Sequence, residues 1–147
     1  MIEQLDETEC LRLISSGEVG RIAFTGRFGP VVLPVNFRLH EGTIVFRTAV
    51  GSPMDEDLHT GISGAELHVA FEVDEIDMTA REGWSVLVQG AAHLVTSAAE
   101  RAALIQTGVE PWPGGERELF VRIIPRHVTG RHVRHTDEPV SGADGSR

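Results

Sequence analysis

VVLPVNFRL (residues 31–39), followed after a short turn by TIVFRT (residues 43–48), decides the architecture. Val31, Leu33, Val35, Phe37 and Leu39 fall on one face of the first run, and Val32, Pro34, Asn36 and Arg38 on the other. A period of two is the pattern of a half-buried strand. Gly42 turns the chain into the second run, where Ile44, Phe46 and Thr48 share a face opposite Val45 and Arg47. Pro34 lacks a ladder donor, so it marks an edge, a bulge, or a place where something other than a strand faces the backbone.

Working outward, Val19 to Thr25 reads as a strand that ends in a turn from Gly26 to Pro30. ELHVAFEVDEID (66–77) places Leu67, Val69, Phe71 and Val73 on one face, and WSVLVQGAAHLV (84–95) is a long strand with Gly90 as a bulge or bend. LFVRII (119–124) supplies a last core strand, which HVTGRHVRH (127–135) extends past Pro125 as an edge. Asp6 with Glu9, and Ser97 with Glu100, form capping boxes that start two helices. Ser52, Pro53 and the acidic residues 55–57 predict a third, brief helix. About six strands at short spacing with two or three helices predict a mostly β fold, a small antiparallel barrel with peripheral helices. The barrel is expected over residues 1–135, with residues 136–147 (TDEPVSGADGSR) a disordered C-terminal tail.

The 147 residues have room for one domain, and 41% hydrophobic against 24% charged side chains suffices for a core. No apolar run approaches the roughly 20 residues of a membrane span. MIEQLDETEC has no basic start followed by an apolar stretch, so no export signal is read there. A single cysteine, Cys10, excludes an internal disulfide and a cysteine-rich zinc site. These features lead us to expect a cytoplasmic protein. With 13 basic and 22 acidic residues the net charge is −9, which disfavours nucleic acid and anionic membranes as partners. Every basic residue is arginine, so an anion site must use guanidinium, hydroxyl or backbone N–H groups, and lysine Schiff-base chemistry is excluded.

FRTAVGSP (46–53) carries the most chemistry. Arg47 and Thr48 end a strand, and Ser52 and Pro53 begin the expected helix, so a guanidinium, hydroxyls and helix N–H groups can converge on an anion such as phosphate. A surface arginine followed by an ordinary capped helix fits the same spacing. Trp84 and Ser85 open a strand straight after a glycine, and that indole can cover a planar ligand or simply pack in the core. Trp112, held in PWPGG, is either a binding group or a loop anchor. Glu72 and Asp74 share one side of a strand and read as a solvated acidic edge. His127, His132 and His135 lie among Arg126, Arg131 and Arg134, a mixture that repels a metal ion and matches no zinc spacing. It suits a basic strip for a cofactor phosphate or a dimer contact. No metal site, Walker loop, dinucleotide fingerprint or G-x-S-x-G elbow is present in the sequence.

In this order, VGRIAF, VVLPVNF, IVFRT with Gly51, VAFEVD, GWSVLVQGAA, PWPGG and VRIIPRHVTGR resemble the pyridoxamine 5'-phosphate oxidase-like flavin-binding split-barrel family, over roughly residues 5–134. The resemblance implies a six-stranded antiparallel split barrel of the FMN-binding type, working as a homodimer with FMN in a groove between subunits. It implies that Arg47 and Thr48 hold the FMN phosphate with the Ser52 hydroxyl beside them. It further implies that Pro34, Val35 and Asn36 offer backbone groups to the isoalloxazine edge, that Trp84 and Ser85 approach from the partner subunit, and that Trp112 walls the groove. Pro53 stands where the family often has a lysine, which weakens phosphate binding and keeps the deazaflavin F420 in view. The expected activity is that of an FMN-dependent oxidoreductase acting on a small molecule that the sequence does not select. A non-catalytic flavin-binding or sensing protein, an F420-dependent reductase and a haem-binding split barrel are the alternatives. No side chain is marked as catalytic, and the cofactor would carry the chemistry.

Overall fold

The computed structural model describes residues 1–49, 52, 67–109 and 118–135. The expected helix after Ser52, Trp112 and the C-terminal tail lie outside the described residues. The described chain forms β1 (Ile2–Leu5), α1 (Glu7–Ile14), β2 (Val19–Gly26), β3 (Gly29–His40), β4 (Thr43–Ala49), β5 (Leu67–Asp77), β6 (Glu82–Leu94), α2 (Ala98–Ile105) and β7 (Glu118–Val133). The strand order is β1-β7-β4-β3-β2-β5-β6, and β6 also pairs with β7, so β2 to β7 close into a six-stranded antiparallel barrel. β1 is a seventh strand, added to the end of β7 from Ile2↔Val133 to Leu5↔Gly130. It has no counterpart in the sequence reading, because three of its four residues are exposed and no alternation announces it.

HVTGRHVRH does extend LFVRII past Pro125, in one 16-residue strand, but its end is not an edge, since Gly130 to Val133 pair with both β1 and β6. Its register against β6 shifts between Gln89 and Gly90, which pair with His127 and Pro125 and leave Arg126 as the extra residue. That bulge resets the alternation. Val121 and Ile123 face the core before it, and Val128 faces the core after it. Gly90 is required at this point, since a Cβ there would stand 2.1 Å from the Ile124 carbonyl oxygen.

Inside the barrel Phe37, Phe46 and Phe71 are buried together, with Phe37 edge-on to Phe71 at 5.0 Å. α1 closes one end. Asp6 accepts the Glu9 N–H at 2.8 Å as its N-cap, and Cys10 and Ile14 are fully buried in the core. Burial, followed by the charges of Asp6, Glu9 and Glu7, pushes the Cys10 thiol up, so it packs as a small apolar group. α2 covers the outside, where Val45, Leu104, Val109 and Phe120 form a second cluster.

The β2–β5 seam is only three pairs long, Arg21↔Glu72, Ile22↔Phe71 and Ala23↔Ala70. At its end Arg21 Nη1 reaches Glu72 at 3.1 Å and Asp74 at 3.0 Å. The two carboxyl groups are therefore not a solvated strand edge. Burial first, then the hydrogen bond and charge of Asp74, push Glu72 up to about 7 despite Arg21. A proton held on Glu72 removes one of two like charges on the same face.

Two outcomes follow from these contacts. Gly90→Ala drives a methyl group into the β7 backbone and should cost about 1–3 kcal/mol, measured as a lower urea midpoint. Unfolding releases Glu72 to its ordinary value of 4.5, below its folded value of about 7. The stabilisation is therefore full below pH ~4.5 and is lost as pH rises through ~7. Glu72→Gln, always neutral, should lose less stability between pH 5 and pH 8 than the wild type does; parallel pH profiles would refute the raised Glu72.

Candidate functional site

The β3–β4 ladder runs from His40↔Thr43 to Phe37↔Phe46 and stops there. Beyond it, Pro34, Val35 and Asn36 pair on their other side with Arg21, Gly20 and Val19 of β2. Arg47, Thr48 and Ala49 likewise pair away, with Phe120, Leu119 and Glu118 of β7. The two strands part, and each presents an edge that no strand pairs among the described residues. Pro34 lies on one side of this split and Arg47 and Thr48 on the other, so the sequence-predicted β3 and β4 residues do flank one feature.

Alternation sends Arg47 and Thr48 to opposite faces at the end of β4. Arg47 turns outward with Val45, its guanidinium carbon 5.0 Å from the centre of the Phe120 ring. Its Nη1 donates a long bond, 3.5 Å, to the Val109 carbonyl. Its Nε is buried and has no partner, and no carboxylate pairs with it among the described residues. A buried charged donor left unsatisfied is costly, so its position calls for an acceptor. The Thr48 and Ser52 hydroxyls are 2.8 Å apart, which brings Ser52 to the strand end as expected. A ligand lying along the unpaired edge meets side chains of both faces.

Three neighbours were not read from the sequence. Phe120 is the cross-strand partner of Arg47, and Arg122 is that of Val45. Arg101 of α2 also lies against Phe120, its guanidinium carbon 5.1 Å from the ring centre. Arg122 hydrogen-bonds the Glu100 carboxylate through Nη1 while its own buried Nε has no partner. The signal for Phe120 and Arg122 was present: with Val121 and Ile123 inward, both must face out.

The other predicted residues lie elsewhere. Trp84 is partly buried against the core and lines a cavity of about 530 Å³ with Asp6, Glu9, Arg12, His132 and Arg134. In this chain it packs at the α1 end. Ser85, on the opposite face, pairs with Asp74 and Arg131. Arg47 meets β7 at Phe120 and Ser85 meets it at Arg131, a separation of roughly 30 Å along the strand. One chain does not bring the two groups together. His127 and His132 fall on opposite faces of β7, opposite Gln89 and Trp84, so the basic strip is split in two. Among the described residues no group of His, Cys, Asp or Glu is arranged to hold a metal ion, and no helix is long and apolar enough to cross a membrane.

Comparison with known proteins bears on this architecture. The family model described as pyridoxamine 5'-phosphate oxidase matches residues 6–132. An uncharacterized protein of Mycobacterium tuberculosis is 34% identical over 132 residues, which are 90% of this chain and 86% of that one. Among solved structures, the FAD binding protein from Mycobacterium smegmatis is similar with a TM-score of 0.73 and 33% identity, covering 89% of this chain and 99% of that one. A conserved protein of unknown function from Corynebacterium diphtheriae gives 0.69 and 32%, covering 88% and 96%. The matched span takes in α1 and the closed barrel to within one residue of the end of β7, and the chain belongs to the pyridoxamine 5'-phosphate oxidase family.

Proposed function

We propose that this chain binds a flavin at the β3–β4 split, with the phosphate of the tail at Arg47, Thr48 and Ser52, and works as a cytoplasmic FMN-dependent oxidoreductase on a small molecule. The observation that carries the reading is the buried Arg47 Nε without an acceptor, at a strand edge whose other face carries the paired Thr48 and Ser52 hydroxyls. An anionic oxygen satisfies that donor, and the residues present fit a phosphorylated tail. The similarity at 33% identity to an FAD binding protein supports a flavin as the ligand class. When bound, a flavin supplies hydride and electron exchange. The chain's own part is to bind the charged tail, to present the β3 edge from Pro34 to Asn36 to the ring, and to exclude water from it.

The separation of Arg47 from Trp84 and Ser85 supports a homodimer, in which the partner copy supplies the latter pair to the same groove. FAD is the second reading, favoured by that relative. F420 keeps only the absence of a lysine at Pro53 in its support, and a haem site using both His127 and His132 is disfavoured by their opposite faces.

Purified protein should show a flavin absorption spectrum. Arg47→Ala removes about 1.5–3 kcal/mol of charge-assisted bonding and should weaken FMN roughly 10- to 100-fold with the melting temperature of the ligand-free protein little changed. Equal FMN affinity in the variant would remove Arg47 from the site. Oxidation of NAD(P)H or of a reduced nitrogen compound by the loaded protein separates the enzyme from a carrier.

A further inference from the structure

Register lays five residues in one row across the outside of the barrel: Pro34 of β3, Arg21 of β2, Glu72 of β5, Leu87 of β6 and Thr129 of β7. Ile22, Phe71, Val86 and Val128, their neighbours in sequence, lie in the core, so the row points out. The next row on this face runs Val32, Ala23, Ala70 and Gln89. Small side chains form its centre, and Val32 is 61% exposed. α1 packs at one end of the barrel and α2 over Val45 and Phe120, so neither described helix covers these rows. At Pro34 the row meets the β3 edge that β4 leaves unpaired. For Ser85 of a second copy to reach that edge, β6 of one copy must lie over β3 of the other. β5 and β2 stand between them, three strand spacings or about 14 Å. A two-fold axis running along the strands between β2 and β5 makes that overlap twice. It also sets Arg21 of each copy opposite the partner's Glu72 and Asp74. The charges of the face are thus complementary to themselves, a guanidinium on one strand and two carboxyl groups on the next.

We propose, resting on the homodimer reading above and deepening it, that the outer face of β2 and β5 is the seam between two copies of this chain, and that acid tightens this dimer and base loosens it. Within one copy Arg21 Nη1 reaches Glu72 at 3.1 Å and Asp74 at 3.0 Å. Two copies gather two guanidiniums and four carboxyl groups about the axis, a surplus of two negative charges unless each Glu72 holds a proton. No other charged group adjoins Glu72 on this face: β6 offers Leu87 and Ser85, β3 offers Pro34, and Arg131 and His127 stand farther off on β7. Burial and then Asp74 already push Glu72 up to about 7 in the single copy. The seam removes more water and adds a second carboxyl pair along with one guanidinium, which disfavours the ionised form further. Assembly therefore takes up protons, so the dimer is tightest below pH ~7 and loosens above it.

The test is sedimentation of the full-length protein over a range of concentrations, at about pH 6 and about pH 8.5, for wild type, Glu72→Gln and Val32→Arg. The wild type should be a dimer whose dissociation constant rises about tenfold or more from the lower pH to the higher. Glu72→Gln, always neutral, should stay dimeric with a constant that differs by less than about twofold between the two. Val32→Arg places a bulky cation at an exposed position of the face; it should keep the circular dichroism of the folded barrel and be monomeric at both. A Val32→Arg protein that still dimerises like the wild type would overturn this seam and leave the homodimer reading standing. A wild-type dimer equally tight at both pH values would overturn the role of Glu72, and so would a Glu72→Gln dimer as pH-sensitive as the wild type, which would pass the effect to another group of the face such as His127. A wild type that is monomeric at both would overturn the seam and the homodimer reading together.

Discussion

One strand has to satisfy three partners. β7 pairs with β4 at its start, with β6 from Val121 to Val133, and with β1 at its end. A strand with strict alternation cannot do this and keep its apolar side chains inward along its whole length, because the sequence changes phase between Ile123 and Val128. The extra residue at Arg126 absorbs the phase change, and Gly90 provides the close approach that the bulge needs. Pro125, which would interrupt a regular central ladder, falls inside the irregular segment. Ring closure, the buried phenylalanine cluster and the platform under α2 all depend on this correction.

Closure is uneven around the ring. β2–β3 pairs over eight residues and β5–β6 over eleven, whereas β2–β5 pairs over three and β3–β4 over four, and the β3–β4 parting is the one flanked by Pro34 and Arg47. An unpaired edge invites association with another chain, and natural proteins cover or blunt such edges. Here the edge holds a proline and a half-buried asparagine on β3, and a guanidinium and a hydroxyl on β4. The same departure that exposes backbone groups thus gathers the donors that the proposed anion site would use.

The alternation of Val31 to Leu39 and Ile44 to Thr48 made the barrel class legible, since a period of two survives without knowing any partner strand. Glu9 and Glu100, each three residues after its cap, placed the helix starts for the same local reason. What stayed illegible was non-local. β1 has too little apolar surface to announce itself, and its place depends on Val133 at the other end of the chain. Glu72 and Asp74 read as solvated because nothing nearby in sequence shows that Arg21 stands opposite them. Arg47 was found by its position at a strand end. Its partners Phe120 and Val109 arrive from more than fifty residues downstream, and only the β4–β7 register and the docking of α2 bring them together.

The placement of Arg47 and Ser85 at opposite ends of β7 has a consequence for assembly under the proposed function. A flavin is shorter than the roughly 30 Å between them along the strand, so it cannot touch both in one chain. A ligand that did use both would need the Arg47 end of one copy beside the Ser85 end of another. A two-fold axis satisfies that requirement twice, giving two equivalent sites. Ser85 lies on the outer face with Arg131 and Asp74, where a second barrel can reach it, whereas Trp84 turns toward α1 and the core. Adjacent in sequence, they make different demands on such a dimer: Ser85 needs only contact, and Trp84 needs an approach at the α1 end. The alternation of β6 therefore makes Ser85 the simpler of the two contributions from a partner copy.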